Sequence, residues 1–241
     1  MCSSDLYAAN AFLATKITFI NEMADLCEAV GVDVQDVARG IGLDKRIGGK
    51  FLHAGPGYGG SCFPKDTSAL IKTAQDNGAP VRIVETVEAV NTQRKRGMAR
   101  KVAAALGGEV RGRTVAILGL TFKPNTDDMR DAPSIALITA LTDMGANVRA
   151  FDPEGMTAAR AVLPESVSYA PGPYECAAGA DLLVICTEWD AFRALDLKRL
   201  KAALKKPTVV DLRNVYRLDD MRRHGFDYTS IGRPAVRAGG G

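Results

Sequence analysis

A cysteine follows a run of four glycines in six residues, in the segment GPGYGGSCFPKD at residues 55–66. Glycine has no side chain, so the backbone amides that precede Cys62 can lie close against a ligand. Pro64 suits the first turn of a helix, which predicts the sulfur at or just before a helix N-terminus, beside Lys65. The backbone potential there and the ammonium group both favour the nucleophilic thiolate. The segment therefore predicts an activated nucleophile, and a small cysteine buried in a turn is the alternative.

Asp66 would follow Cys62 by one helical turn, where its carboxylate could orient a water molecule or act as a base. An acidic residue in the first turn of a helix is also favoured by the helix dipole alone. Its position therefore leaves both a catalytic and a structural role open.

The glycines of this loop also match the Gly-x-Gly-x-x-Gly spacing of dinucleotide-binding sites, at Gly55, Gly57 and Gly60. That fingerprint needs a preceding β-strand, and an acidic residue about 20 residues later at the end of a second strand. Residues 45–54 contain no apolar run that could form the first strand. We interpret the match as a coincidence of glycine density.

Composition excludes several classes of protein. The chain has 241 residues, of which 46% are hydrophobic, and its change of pattern suggests two cores. A net charge of +3, evenly spread, does not indicate a nucleic-acid partner. Five scattered cysteines and two histidines predict no metal site and a reduced, cytoplasmic compartment, with Cys27 and Cys186 as packing residues. No apolar run approaches the ~20 residues of a membrane span, and no secretory signal opens the sequence, so no membrane partner is expected.

The first half of the chain is predicted to be helical. Residues 7–30 form one long helix, since two apolar stripes recur there at helical spacing, and Gly31 ends it. A helix that is apolar over so much of its circumference is buried on more than one side, which favours a second subunit, with packing inside one domain as the alternative. A further helix is predicted at residues 81–106, where the basic run at residues 94–96 is interpreted as a solvated face.

From Thr114 the pattern changes to short apolar runs that alternate with helical stretches. The predicted strands are residues 115–118, 147–151, 181–186 and 208–211. Alternating strands and helices predict an α/β fold with a doubly wound parallel sheet.

Polar residues follow these strands, at the edge where doubly wound sheets bind their ligands. Lys123 and Arg213 can pair with phosphate or ribose oxygens, and a surface ion pair is the alternative for both. Asp152 has the position of a ribose-binding acid, or else caps the next turn. Only Gly119 follows the first strand closely, so the cradle for a dinucleotide pyrophosphate is absent. This half therefore favours the nucleotide of a sugar nucleotide as its ligand.

Taken together, these segments resemble the UDP-glucose/GDP-mannose dehydrogenase family, whose members oxidise an alcohol of a sugar nucleotide to an acid. The matching segments are residues 7–16, 19–22, 55–66, 119–130 and 211–214. The resemblance implies an all-helical central, dimerisation domain at residues 7–108, followed by a Rossmann-like, UDP-sugar-binding α/β domain at residues 109–232. Residues 1–6 look unrelated to the family, and residues 233–241 are expected to be a flexible tail. We expect a homodimer or a higher homo-oligomer, formed through the central helices.

The resemblance implies NAD-dependent oxidation of UDP-glucose to UDP-glucuronate. Cys62 would hold the substrate between two hydride transfers, first as a thiohemiacetal and then as a thioester that water hydrolyses. A thiolate suits this chemistry, because the second hydride can leave only from a tetrahedral adduct that still carries a hydrogen.

Three alternatives remain open. A GDP-mannose or other nucleotide-sugar dehydrogenase would share the Gly-Gly-Ser-Cys and Pro-Lys-Asp motifs. A sugar-nucleotide-binding or subunit-association module would have no turnover of its own. Thiol chemistry independent of NAD is disfavoured, since no resolving cysteine lies near Cys62 in the sequence.

The resemblance also implies roles for single residues. The catalytic residues would be Cys62, Asp66 and Asn10. The substrate-binding residues would be Asn10, Arg46, Phe51, Leu52, His53, Ala54, Gly55, Gly59, Lys123 and Arg213. Of these, Arg46 is expected to reach the substrate of a partner subunit. Lys65 and Arg130 are expected to approach NAD.

The sequence departs from the family pattern at three points. Family members begin with an NAD-binding βαβ domain that carries the glycine fingerprint and a general-base glutamate, and neither is found here. Leu6 stands where the family has a lysine that stabilises an oxyanion. Leu212 precedes Arg213 where the family usually has glycine. We therefore expect a truncated chain that cannot complete catalysis unaided.

Overall fold

The computed structural model describes residues 3–239, and its first half is helical. The helices are α1 Ser3–Val30, α2 Val34–Gly42, α3 Cys62–Asp76 and α4 Arg82–Ala105. Asp33 caps α2, since its side chain accepts a hydrogen bond from the backbone N–H of Gln35. Helix α1 begins four residues earlier than predicted, so most of the segment expected to be unrelated to the family continues this helix. None of the described helices is long and apolar enough to cross a membrane.

The second half contains a parallel sheet with helices on both faces. The strands are β1 Thr114–Leu118, β2 Asn147–Phe151, β3 Ser168–Tyr169, β4 Leu182–Ile185, β5 Thr208–Asp211 and β6 Asp227–Ser230. The helices are α5 Pro133–Asp143, α6 Met156–Arg160, α7 Pro173–Ala177, α8 Asp190–Arg193, α9 Leu197–Ala203 and α10 Leu218–Arg223. The strand order β3-β2-β1-β4-β5-β6 with parallel pairing confirms the predicted doubly wound, Rossmann-like fold.

The pairing register centres on β1, where Val115 lies opposite both Val148 of β2 and Leu182 of β4. Strands β4 and β5 are buried along their whole lengths, as expected for central parallel strands covered on both faces. The sequence did not predict β3 and β6. The two residues of β3 are too few to show a pattern.

The hydrophobic cores follow the faces of the sheet and not the two halves of the chain. One cluster joins buried residues of α1 and α4, such as Ile20 and Val102, to Val115 and Leu137 of the α/β half. A second cluster, with Phe192 and others, lies on the opposite face of the sheet. A third, smaller cluster of Ala14, Tyr58 and Val87 lies within the helical half. The two predicted cores therefore do not describe the packing, since there are three clusters among the described residues and the largest spans both halves of the chain.

The chain after β6 packs against the sheet as far as residue 236. Arg233 and Val236 are buried, and Val236 forms an antiparallel bridge with Tyr228 of β6. The expectation of a flexible tail from residue 233 therefore does not hold for these residues, because the bridge and the buried guanidinium fix their backbone. Residues 240 and 241 lie outside the described part of the chain.

Candidate functional site

The structure places Cys62 at the first position of α3, directly after the N-cap residue Ser61. Its Sγ lies 3.7 Å from Oγ of Ser61. Of the four cysteines that the structure describes, Cys62 alone is exposed. Burial raises the pKa of Cys176 and of Cys186 to about 12, which leaves both as inert thiols at neutral pH.

Two further candidates, Asn10 of α1 and Asp66 of α3, are in direct contact. Nδ2 of Asn10 donates a hydrogen bond to Oδ2 of Asp66 at 2.6 Å. The other carboxylate oxygen, Oδ1, is buried without a hydrogen bond, and Nζ of Lys65 lies 3.6 Å from it. This oxygen can accept a hydrogen bond from a water molecule or a hydroxyl group, one helical turn from Cys62.

The glycine-rich loop between α2 and α3 is held by side chains that the sequence did not single out. Oδ1 of Asn21 accepts a hydrogen bond from the N–H of Gly55 at 2.8 Å. Nε of Arg94 donates to the carbonyl oxygen of Gly55 at 2.7 Å, and its Nη1 donates to the carbonyl oxygen of Asn21. Helices α1 and α4 thus fix both backbone groups of Gly55.

A second part of the loop is fixed in the same way. Asn91 of α4 accepts from the N–H of Tyr58 at 2.9 Å and donates to the carbonyl oxygen of Tyr58 at 3.1 Å. The N–H of Gly60 donates to the carbonyl oxygen of Arg130. A side chain at Gly59 would collide with the carbonyl oxygen of Asp131, which explains the glycine there. The loop is therefore fitted against both α4 and the segment after β1.

These contacts correct the interpretation of residues 94–96 as a solvated face. Arg94 and Lys95 are buried, and only Arg96 is exposed. Arg94 also pairs with Asp25 at 2.9 Å, and Lys95 pairs with Asp131 at 2.7 Å. The run is basic because two of its members hold the loop and its neighbouring segment.

A cavity of about 410 Å³ opens between the helical half and the sheet. It is lined by Ile17, Asn21, Lys50, Phe51, His53, Gly55, Gly57, Tyr58, Gly59, Phe63, Phe122, Lys123, Glu188 and Arg213. The structure thus brings together six of the predicted substrate-binding residues, four from the loop and two from the α/β half. The cavity reaches Phe63, the neighbour of Cys62.

Arg213 is the best-fixed cation of this cavity. Its Nε donates to the carbonyl oxygen of Cys186 at 2.9 Å, and its Nη2 donates to the carbonyl oxygen of Phe122 at 3.2 Å. Glu188 lies 3.1 Å from the same Nε. Lys123 is exposed, and its Nζ lies 5.3 Å from the centroid of the Phe122 ring. With Lys50, the cavity has three cationic side chains and can bind an anion of two or more charges.

A second cavity, of about 450 Å³, lies on the other side of His53 and Arg213, which line both. Leu52 and Ala54 both line this second cavity, and the side chain of Leu52 is buried. These two predicted substrate-binding residues are therefore not brought into the first cavity.

Three predicted residues are exposed and line neither cavity. The side chain of Arg46 is 89% exposed and pairs with Asp44 of its own loop, which raises the pKa of Arg46. Lys65 and Arg130 are 73% and 69% exposed. The hydrogen bond to Asp128 and the charge of that carboxylate raise the pKa of Arg130.

The turn after β1, where such a sheet would hold a dinucleotide, does not fit one. A Cβ atom at Gly119 would lie 2.5 Å from Thr187. Thr187 therefore already occupies the space beside the glycine that the pyrophosphate of a dinucleotide would need. Asp152 is fully buried, and it accepts hydrogen bonds from the N–H groups of Leu120 and Gly155. The structure therefore shows Asp152 capping the next turn, which was the alternative to binding a ribose. We therefore assign no NAD site to this turn. The described residues also contain no cluster of side chains that could hold a metal ion.

Two models of a single protein family match the chain. The UDP-glucose/GDP-mannose dehydrogenase family, central domain, matches residues 6–93, and the UDP binding domain of the same family matches residues 116–218. Together the two matches cover most of the chain.

Named relatives agree with these matches. The chain is 68% identical over 228 residues to a UDP-glucose 6-dehydrogenase of Rhizobium meliloti (strain 1021), covering 95% of this chain and 52% of the relative. It is 49% identical over 238 residues to a UDP-glucose 6-dehydrogenase of Pseudomonas aeruginosa, covering 97% of this chain and 52% of the relative. The chain thus spans about half the length of the curated relatives it matches.

Solved structures share the fold. A UDP-glucose dehydrogenase from Pyrobaculum islandicum superimposes with a TM-score of 0.80 at 41% identity, over 87% of this chain and 46% of that one. An NDP-N-acetyl-D-galactosaminuronic acid dehydrogenase from Methanosarcina mazei Go1 superimposes with a TM-score of 0.84 at 29% identity, over 96% of this chain and 50% of that one.

Proposed function

Because the chain belongs to the UDP-glucose/GDP-mannose dehydrogenase family, we propose that it takes part in the NAD-dependent oxidation of UDP-glucose to UDP-glucuronate. The observation that carries this proposal is the cavity of about 410 Å³ beside the Cys62 loop, with its three cationic side chains. Its size and charge suit a sugar nucleotide, whose diphosphate carries two negative charges. Lys123 and Arg213 would hold that diphosphate, and the sugar would extend along the loop toward Cys62.

The residues of the chain supply the covalent chemistry. The Cys62 thiolate adds to the aldehyde carbon of the half-oxidised sugar, which forms a C–S bond and leaves the hydrogen on that carbon. Loss of this hydrogen as hydride to NAD, the acceptor used by the family, would give the thioester. Water then attacks, the C–S bond breaks, and a carboxylate and a free thiol result. NAD, the hydride acceptor of the family, supplies only the oxidising capacity.

Asn10 and Asp66 would act in the last of these steps. Asn10 occupies one oxygen of the Asp66 carboxylate, and the other accepts no hydrogen bond from the described residues. A carboxylate oxygen in this state is suited to orient the attacking water and to accept its proton. The exposed Lys65 and Arg130, both near the start of α3, would contact the cofactor from this side.

We further propose domain limits at residues 7–108 and 109–232, and a homodimer formed through α1. The support for the dimer is an apolar stripe on α1 that faces solvent. Phe12, Phe19, Leu26 and Val30 are its members, and Phe12 is 67% exposed. An exposed stripe of this length is typical of a subunit interface.

A second candidate function is a sugar-nucleotide-binding module without turnover. The observation that favours it is the turn after β1, which does not fit a dinucleotide. Calorimetry distinguishes the candidates. Measurable binding of UDP-glucose with very weak binding of NAD is expected of the chain alone, and tight NAD binding would contradict our assignment of the cofactor.

Thiol labelling tests the placement of the reactive centre. We expect iodoacetamide to modify Cys62 faster than the buried Cys27, Cys176 and Cys186, with UDP-glucose slowing the reaction at Cys62. A Lys123→Ala variant should be labelled at the same rate but lose most of the protection, and free glucose should not protect. Equal labelling of all four cysteines, or labelling unaffected by UDP-glucose, would remove the proposed role of this cavity.

A further inference from the structure

One acidic side chain stands among the cations of the cavity. Among the described residues that line it, Glu188 is the one acid, opposite Lys50, Lys123 and Arg213. Glu188 lies three residues after the end of β4, at the carboxyl edge of the sheet, and its side chain is 31% exposed. A carboxylate repels a bound anion, so its presence in an anion-binding cavity needs a functional explanation.

Arg213 does not need Glu188 as a hydrogen-bond acceptor. The guanidinium already donates to two carbonyl oxygens, of Cys186 through Nε and of Phe122 through Nη2. Oε2 of Glu188 lies 3.1 Å from Nε but accepts no hydrogen bond from the described part of the chain, because the Nε–H donates to the carbonyl oxygen of Cys186. The carboxylate therefore contributes charge near Arg213 and no directional bond.

We propose that Glu188 is a specificity-determining residue, which makes the cavity select diphosphates esterified at both ends over nucleotides that end in a free phosphate. This inference rests on the proposed binding of a sugar nucleotide in the cavity. A phosphate oxygen in contact with Arg213 would lie about 4–6 Å from the Glu188 carboxylate, given ordinary hydrogen-bond lengths. At that distance, in a partly buried site, like charges repel strongly.

The charge of the ligand decides how large this repulsion is. The diphosphate of UDP-glucose is esterified at both ends and carries two charges. The terminal phosphate of UDP is free, has a second pKa near 6, and so carries about one more charge at pH 7.5. The three cations and one acid of the cavity have a net charge of +2, which balances the two negative charges of the sugar nucleotide. The additional negative charge of UDP has no positive charge to balance it. Glu188 would thus also favour release of sugar-free nucleotide.

The test compares the dissociation constants of UDP-glucose and UDP by calorimetry, for the wild-type chain and for Glu188→Gln. The amide keeps the shape of the side chain and removes its charge. We expect UDP to bind about tenfold more tightly relative to UDP-glucose in the variant, which corresponds to about 1.4 kcal/mol. The change in the ratio isolates the coupling between the carboxylate and the terminal phosphate, because contacts common to the two ligands cancel. Added salt should reduce the effect.

Asp190→Asn is the matched control, since Asp190 lies two residues away, is 97% exposed and does not line the cavity. Its ratio should equal that of the wild type. Circular dichroism verifies the fold, and Glu188→Ala replaces the glutamine variant if that one folds poorly. An unchanged ratio in the Glu188 variants, with both ligands bound by the wild type, overturns this inference alone. Failure of the wild type to bind either ligand overturns the proposed function, and the inference with it.

Discussion

The Asp66 carboxylate depends on a single amide. Its side chain is only 3% exposed, and within residues 3–239 Asn10 supplies the one hydrogen bond that the carboxylate receives. A buried carboxylate with so few donors is costly in the folded state, and that cost is typical of a group kept for chemistry. The pair of residues is therefore informative about stability as well as about the reaction.

We expect Asn10→Ala to lower the free energy of unfolding by about 1–3 kcal/mol, because it leaves both oxygens of Asp66 buried without a hydrogen bond. Urea unfolding followed by circular dichroism measures this loss. Asn77→Ala is the control, since Asn77 makes its hydrogen bond to Thr73 at the exposed end of the same helix α3. That change should cost at most about 0.5 kcal/mol. Equal losses in the two variants would show that Asn10 does not support Asp66.

Residue-level prediction from the sequence succeeded where local chemistry decides the outcome. Glycines and a proline around Cys62 were enough to place it at the start of a helix, as observed. Asn21, Asn91 and Arg94 were missed, because their partners in the loop lie 33 to 39 residues away along the chain. One sequence contains no signal for contacts of that separation.

At the scale of the elements, α4 is the support of the Cys62 loop. Asn91, Arg94 and Lys95 share one face of this helix, since positions three and four residues apart lie together. Sequence periodicity showed that the helix exists, but which face meets the loop depends on tertiary packing. The sequence does not distinguish a basic residue that packs against the loop from one that faces solvent. For this reason the prediction of a solvated face at residues 94–96 is wrong.

We expect Arg94→Ala to lower the free energy of unfolding by about 2–4 kcal/mol, because the carbonyl oxygens of Gly55 and Asn21 lose their donor in a buried place. Arg96→Ala, two residues along the same helix but exposed, should change it by less than about 0.5 kcal/mol. Urea unfolding of both variants gives the comparison. If Arg96→Ala proves as damaging as Arg94→Ala, the loop does not depend on the buried guanidinium.

The outer face of α1 is the other element that needs a partner. Phe12, Phe19 and Leu26 recur every seven residues, so they form one straight line of apolar side chains along the helix. The sequence predicted that this helix is buried on more than one side. Within the described chain one side is covered, and the stripe remains in contact with solvent.

At the scale of the whole molecule, we expect the chain to form dimers or larger assemblies at micromolar concentration. A variant with both Phe19→Glu and Leu26→Glu should shift toward monomer, because two charges would have to be buried in the interface. Light scattering coupled to size-exclusion chromatography measures the mass. Val162→Glu, at an exposed apolar residue of the α/β half, is the control and should leave the assembly unchanged. A monomeric wild-type chain would contradict the proposed homodimer.

The fold class was predictable because it rests on periodicity, which a single sequence displays fully. Apolar runs such as residues 115–118 and 182–185 alternate with helical stretches, and a parallel sheet follows from that alternation. The arrangement of the cores was not predictable. Val102 of α4 and Leu137 of α5 belong to one cluster, and only the docking of the helical half on the sheet brings them together.

That shared core has a consequence for how a ligand is held. Phe51 and His53 approach the cavity from the helical half, and Lys123 and Arg213 approach it from the sheet, yet the two sides are joined behind the cavity by a single packed interior. Close-packed protein interiors resist deformation, so the distance between the two sides of the cavity is fixed before a ligand binds. A sugar nucleotide would therefore enter a preformed cavity, and little of its binding free energy would be lost to a conformational change of the protein. A ligand too thick for the cavity would be excluded sterically.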